Sequence, residues 1–116
     1  LSAISLNDNV SIITSISNDY GYEYIFSRQL EAIAKTGDIF IVFTTSGNSK
    51  NIITAAKTAK KMNIKTIGFT GINKGKVNKY CEYLVEVPNK ETARIQEGHI
   101  LIGHIICGLI EKNFYH

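Results

Sequence analysis

At 116 residues and 44% hydrophobic content, the chain is long enough for one globular domain with a real core. Its net charge of +3 is modest, and Lys57, Lys60, Lys61 and Lys65 fall on the solvated side of one amphipathic segment with no aromatic residues between them, which argues against a nucleic-acid surface. The most apolar stretch, residues 100–110, is too short to cross a bilayer and no signal-peptide pattern is visible, while Cys81 and Cys107 lack metal-type spacing and read as reduced thiols of a cytoplasmic protein, Cys107 being buried in an apolar run.

The chain opens without methionine on an apolar run, residues 1–6, that suits a short strand. Asn7, Asp8 and Asn9 form a turn with N-cap chemistry, residues 10–16 suit a short helix, and Ser17, Asn18 and Asp19 break it. Tyr22, Ile25, Phe26, Gln29, Leu30 and Ile33 recur at helical spacing, which predicts a helix over residues 21–35 closed by Lys35 and by Gly37 at C′. Residues 39–43 are a β-branched and aromatic run of the kind buried on both faces of a parallel sheet. A helix follows from Asn51, with Ile52, Ile53, Ala55, Ala56, Ala59 and Met62 on its apolar side, and Asn63 ends it. Residues 65–70 and 83–87 read as further strands, the first closed by Gly71 and the second by Pro88, which cannot donate to a ladder. Thr92 begins a terminal helix reaching about Asn113. Gly98, Gly103 and Gly108 lie inside it, as at close packing against another backbone or a partner subunit. Four strands alternating with helices predict a parallel sheet with helices on both faces.

Between the strand at residues 39–43 and the next helix stands Thr44-Thr45-Ser46-Gly47-Asn48-Ser49. It sits at the carboxyl end of a strand, where open α/β sheets bind ligands, and at a helix N-terminus, whose free N–H groups and dipole suit a phosphate. Each hydroxyl can donate to a phosphate oxygen. The plainer reading makes Ser49 an N-cap and Gly47-Asn48 a turn. Neither a nucleotide-triphosphate loop nor a dinucleotide fingerprint occurs, and Ser46 lacks the glycine that a nucleophile elbow needs. What remains is a small phosphorylated ligand held without a large cation nearby.

Two further groups could carry chemistry. Asn18 and Asp19 either cap and turn the chain or bind sugar hydroxyls. On the terminal helix, Gln96 and His104 are about 80° apart around the axis and roughly 12 Å apart along it. They can share a ligand only by leaning together. His104 is the best acid/base candidate, since imidazole titrates near neutral pH, although a histidine among isoleucines is often a satisfied core residue. His99 faces about 140° away from it.

Residues 44–49 resemble the Ser-Thr-Ser-Gly-Asn-Ser signature of the SIS (sugar isomerase) domain. Asn18-Asp19-Tyr20-Gly21-Tyr22-Glu23, then Phe26-Ser27-Arg28-Gln29, and finally Ala93-Arg94-Ile95-Gln96-Glu97-Gly98-His99 with His104, are similar to the phosphoheptose isomerases. The resemblance covers the whole chain and implies a single SIS domain over 1–116, a Rossmann-like three-layer α/β/α sandwich on a parallel sheet, usually in a homotetramer. It implies isomerisation of sedoheptulose 7-phosphate to D-glycero-D-manno-heptose 7-phosphate, toward the heptose of bacterial lipopolysaccharide and other surface glycans. By the same resemblance Thr44, Thr45, Ser46 and Ser49 hold the phosphate, Asn18 and Asp19 contact the sugar, and Gln96 contacts substrate. Gln96 and His104 help ligate zinc, and His104 acts as acid/base. Thr44 replaces the usual serine and keeps its hydroxyl.

The family's glycine-rich Asn-Gly-Gly-Ser turn, its preceding strand and a helix bearing a histidine and a catalytic glutamate have no counterpart here. The resemblance therefore implies the C-terminal two-thirds of the enzyme, inactive alone, with a central strand missing from the sheet and two zinc ligands lying upstream. The competing readings are a non-catalytic SIS protein, such as a relative that binds the replication initiator, and a sugar-phosphate sensor of a transcription regulator. Retention of Gln96 and His104 favours the enzyme.

Overall fold

A computed structural model describes residues 1–115. Three parallel strands, β1 (Ile39–Phe43), β2 (Lys65–Gly71) and β3 (Tyr83–Val87), lie side by side in chain order. The register is fixed by Ile39 opposite Lys65 and Ile67 opposite Tyr83. Helices α1 (Val10–Asp19) and α2 (Ser27–Ile33) precede the sheet, α3 (Lys50–Lys61) links β1 to β2, and α4 (Thr92–Tyr115) ends the chain. Short 3-10 helices occupy Tyr22–Tyr24 and Lys76–Tyr80.

The core lies between α3 and the sheet. Ala55, Ala56 and Ala59 are fully buried, and their small side chains let the helix backbone approach closely. One cluster joins Ile25, Phe26 and Leu30 to Ala55, Ala59 and Ile64; a second joins Val42, Ala56 and Val77. Asn63 ends α3 as expected. Its φ of 57° is left-handed, the Ile64 amide donates to the Ala59 carbonyl at 2.9 Å and its own amide to the Lys60 carbonyl at 3.2 Å. This is the doubly bonded helix end for which asparagine substitutes for glycine.

On the opposite face α4 packs over β2 and β3 through Ile95 and His99, its two buried residues. Gly98 permits this seat, since a Cβ there would lie 2.7 Å from Val87 Cγ2. Gly103 and Gly108 face open space.

Several expectations change. Residues 1–6 form no strand; with no neighbour to pair with, they run as irregular chain tied down where the Gln29 side-chain amide donates to the Leu6 carbonyl at 3.0 Å. The sheet therefore has three strands rather than four among the described residues, and they pair contiguously, without the interior gap. β1 is well buried on one face only: on its other side Phe43 meets His99 of α4, but Ile39, Ile41 and Phe43 stay 61%, 47% and 53% exposed. Helix α1 continues through Asn18 and Asp19, because the Asn9 side chain caps its start and the Tyr20 amide closes its end on Ile16. The helix expected over 21–35 divides at Ile25 and Phe26, and α2 stops at Ile33; Gly37 instead serves a turn in which the Asp38 amide donates to Lys35. Cys107 is exposed, on the stretch of α4 that extends past the sheet.

Candidate anion-binding site

The hydroxyl-rich turn leaves β1 without leaving the sheet. The Thr44 amide donates to Phe69 at 2.9 Å and the Gly71 amide to Thr45 at 3.0 Å, so pairing with β2 continues past Phe43. Thr44 is buried, and its Oγ1 accepts the Gly47 amide at 3.1 Å. Ser46 is exposed, and its Oγ accepts the Asn48 amide at 3.1 Å, which leaves the hydroxyl proton free to donate. Ser49 holds the N-cap position of α3, but its side chain makes no capping bond. The plainer reading of Ser49 thus describes its place and not what its exposed hydroxyl does.

A second loop braces the turn. The Val77 amide donates to the Gly47 carbonyl at 3.0 Å and the Lys76 amide to Asn48 Oδ1 at 3.0 Å. Gly47 (φ 66°) and Gly75 (φ 67°) meet backbone to backbone, and a Cβ on Gly47 would sit 2.8 Å from the Gly75 Cα. Only glycine meets both demands, positive φ and no side chain.

A cavity of about 150 Å³ opens at the carboxyl ends of the strands, lined by Thr45 and Ser46 on one side, Asn89, Lys90 and Thr92 on the other, with Ile95 among its apolar walls. A turn of this composition at such a strand end, followed by a helix, suits an anion such as a phosphate. The SIS domain family model matches residues 1–71.

The chain belongs to the SIS domain family.

It is 51% identical over 115 residues to the phosphoheptose isomerase of Aneurinibacillus thermoaerophilus, covering 99% of this chain and 58% of that protein. It is 50% identical, again over 115 residues, to the phosphoheptose isomerase of Clostridium acetobutylicum, covering 99% of this chain and 59% of that protein. The phosphoheptose isomerase structure from Neisseria gonorrhoeae superposes with a TM-score of 0.92 at 41% identity, over 95% of this chain and 62% of that one. One from Francisella tularensis gives 0.94 at 37%, over 97% and 60%. The chain thus spans less than two-thirds of the length of these relatives.

Within this SIS domain the candidate residues do not all share one cavity. Thr45 and Ser46 line the cavity just described. Asp19 lines a separate groove of about 590 Å³ between α1 and α2, beside Tyr20 and Arg28, whose guanidinium stacks 3.7 Å above the Tyr20 ring. Asn18 is exposed one residue before it. Gln96 and His104 are both exposed on α4 and line neither space. His99 points elsewhere, as expected, but into the core: it is 5% exposed, its Nε2 lies 3.0 Å from the Thr70 carbonyl, and its ring meets Phe69 edge-on at 5.7 Å. To bond that carbonyl, Nε2 carries the proton.

Gln96 and His104 are two donors, and no group of three His, Cys, Asp or Glu side chains able to hold a metal occurs among the described residues. A zinc site takes three or four protein ligands, so the donors present do not fit one by themselves. Cys81 stands apart from all of this. Burial, and then the charge of Glu82, push its thiol up from 9.0 to about 11.

Sequence reasoning missed the far wall of the cavity. Lys90, on that wall, was not among the candidates. The signal was present in principle: residues 88–92 follow the carboxyl end of β3, and such ends are where open sheets bind ligands.

Proposed function

We propose that the complete protein is an aldose–ketose isomerase that converts sedoheptulose 7-phosphate to D-glycero-D-manno-heptose 7-phosphate. The observation that carries this is the turn at residues 44–49, which presents the exposed hydroxyls of Ser46 and Ser49 at the end of β1 in a SIS domain whose relatives are phosphoheptose isomerases. Thr44, Thr45, Ser46 and Ser49 anchor the phosphate, so that only the reacting end of the sugar need move. Asn18 and Asp19 bind sugar hydroxyls and Gln96 orients the substrate. His104 moves the proton between adjacent carbons through the enediol.

Asp19 lines the groove between α1 and α2 and His104 lines neither space, so we further propose that sites complete themselves at contacts between copies, in a homotetramer. The exposed apolar residues Ile39 and Ile41 on β1, and Leu101, Ile105 and Leu109 on α4, support such contacts. Zinc would need donors beyond Gln96 and His104, and the proton transfer proposed here does not run through it. The reaction belongs in the cytoplasm, where it would feed heptose into lipopolysaccharide or another surface glycan.

The test is to incubate the complete protein with sedoheptulose 7-phosphate in D₂O and follow product and solvent-deuterium uptake by NMR. Conversion with deuterium at the carbon that gains hydrogen is expected. Tight binding with neither conversion nor exchange would replace this reading by the second one, a non-catalytic sugar-phosphate-binding protein, which the exposure of Gln96 and His104 outside both cavities favours.

A further inference from the structure

We propose that Lys90 is the counter-cation for the phosphate of the bound sugar, a role that rests on the reading of residues 44–49 as the phosphate turn. The cavity at the strand ends has polar walls of Thr45, Ser46, Asn73, Asn89 and Thr92, and Lys90 is its single charged residue. No carboxylate lines it. Lys50 and Lys76 lie beside the turn without an ion pair among the described residues but do not line the cavity. Lys74 pairs with Glu86 at 3.3 Å and Arg94 with Glu97 at 2.7 Å, whereas Lys90 has no ion-pair partner among the described residues. An open cavity with one unneutralised positive charge and several hydroxyl and amide groups selects an anion rather than a neutral sugar.

The backbone that carries Lys90 is held in place. Pro88 fixes the exit from β3. The Ile72 amide donates to the Asn89 carbonyl at 3.3 Å, which ties the loop to the end of β2, and Asn89 Oδ1 accepts the Glu91 amide at 2.8 Å. Lys90 therefore starts from a fixed Cα across the cavity from Thr45 and Ser46, and only its flexible stem must settle when an anion arrives. The cavity is open to solvent, so a phosphate seated between the turn and Lys90 leaves the rest of the sugar a way out. The sugar would extend out of the cavity, toward solvent or a neighbouring copy.

The experiment uses the complete protein and two probes, inorganic phosphate and sedoheptulose 7-phosphate, with Kd measured by calorimetry at low and high salt. Lys90→Met keeps the apolar stem and removes the charge; Lys90→Arg restores the charge; Ser46→Ala reports on the turn. Lys90 is exposed, and a thermal melt of each variant verifies folding. Lys90→Met should weaken both probes roughly 10-fold or more at low salt, as for one charge-assisted contact. The loss should shrink at high salt, and Lys90→Arg should recover most of the affinity. If Lys90→Met binds within twofold of the parent while Ser46→Ala binds weakly, Lys90 is not the counter-cation and the hydroxyl turn stands alone. If neither variant weakens inorganic phosphate, both the Lys90 role and the phosphate turn fall. A loss in Lys90→Met alone would overturn the reading of residues 44–49 on which the role rests, and would move the anion to the β3 loop.

Discussion

Replacing Gly47 by alanine would place a Cβ 2.6 Å from the Lys74 carbonyl carbon and 2.8 Å from the Gly75 Cα, both backbone atoms that cannot rotate away. Two costs add. Holding a non-glycine residue at φ 66° costs roughly 1–2 kcal/mol, and overfilling a packed contact costs about 1–3 kcal/mol more. The sum, about 2–5 kcal/mol, is a large share of a typical stability of about 5–15 kcal/mol. With urea m-values of about 1–3 kcal/mol per molar, the unfolding midpoint should fall by on the order of 1–3 M. Two controls separate the costs. Gly37 has φ 98° with nothing within 4 Å of its Cβ position, so Gly37→Ala isolates the backbone cost. Gly103 is helical, with open space around it, and Gly103→Ala should stabilise by about 0.5–1 kcal/mol. Urea melts of the complete protein and the three variants measure all of this. A Gly47→Ala midpoint equal to that of Gly37→Ala would show that the two loops do not press on each other as described.

Ser46→Ala and Ser49→Ala should each weaken sugar-phosphate binding at least about tenfold, since a hydrogen bond to a charged group contributes about 1.5–3 kcal/mol. Ser49→Ala should leave the urea midpoint nearly unchanged because its side chain caps nothing; unchanged affinity in both variants would remove the phosphate from this corner. His99→Leu abandons the Thr70 carbonyl in a buried place and should cost about 1–3 kcal/mol of stability. His104→Gln, on an exposed residue, should stay within about 0.5 kcal/mol while turnover drops by orders of magnitude; if His99→Gln harms turnover more than His104→Gln, the assigned roles are wrong. The Cys81 thiol is neutral in the fold up to about pH 11 but ionises from 9.0 when unfolded. Its contribution is therefore complete below pH 9 and disappears as pH rises toward 11. The parent should lose stability across that window faster than Cys81→Ala, and parallel curves would contradict the burial of the thiol.

What the sequence made legible was periodic or punctuated. β1, β2 and β3 showed as short β-branched or aromatic runs, and their ends were marked by Thr44, Gly71 and Pro88. The amphipathic stripe of α3 and its stop at Asn63 were equally plain. Residues 1–6 look like a strand in isolation, but a strand exists only if another pairs with it, and pairing is not local information. The break at Ile25 and Phe26 was hidden because both remain apolar and buried while the backbone changes its turn. Thr45, Ser46 and Ser49 could be found because their hydroxyls cluster in sequence. Lys90 has no such local cluster: its neighbours across the cavity are more than forty positions away in the chain, and only its place after the carboxyl end of β3 pointed to it. Helical angles separated His99 from His104 but did not say which of the two faces the sheet; the contact with Thr70 decides that.

Helix α4 is one unbroken element of 24 residues, about 36 Å long, yet only its first turns carry fully buried residues. Ile95 and His99 are its buried residues, and Ile100, Leu101, Ile105, Leu109 and Phe114 are exposed. Beyond the sheet, Gly103 and Gly108 each lower helix propensity by roughly 1 kcal/mol relative to alanine. As this chain packs, then, a continuous helix spans two regimes of local unfolding. Amides around Ile95 to His99 open only with the sheet beneath them, whereas those past Gly108 can fray on their own. A surface that covered the outer half of α4 would therefore do more than hide apolar side chains, because it would also hold the turns past Gly108 helical.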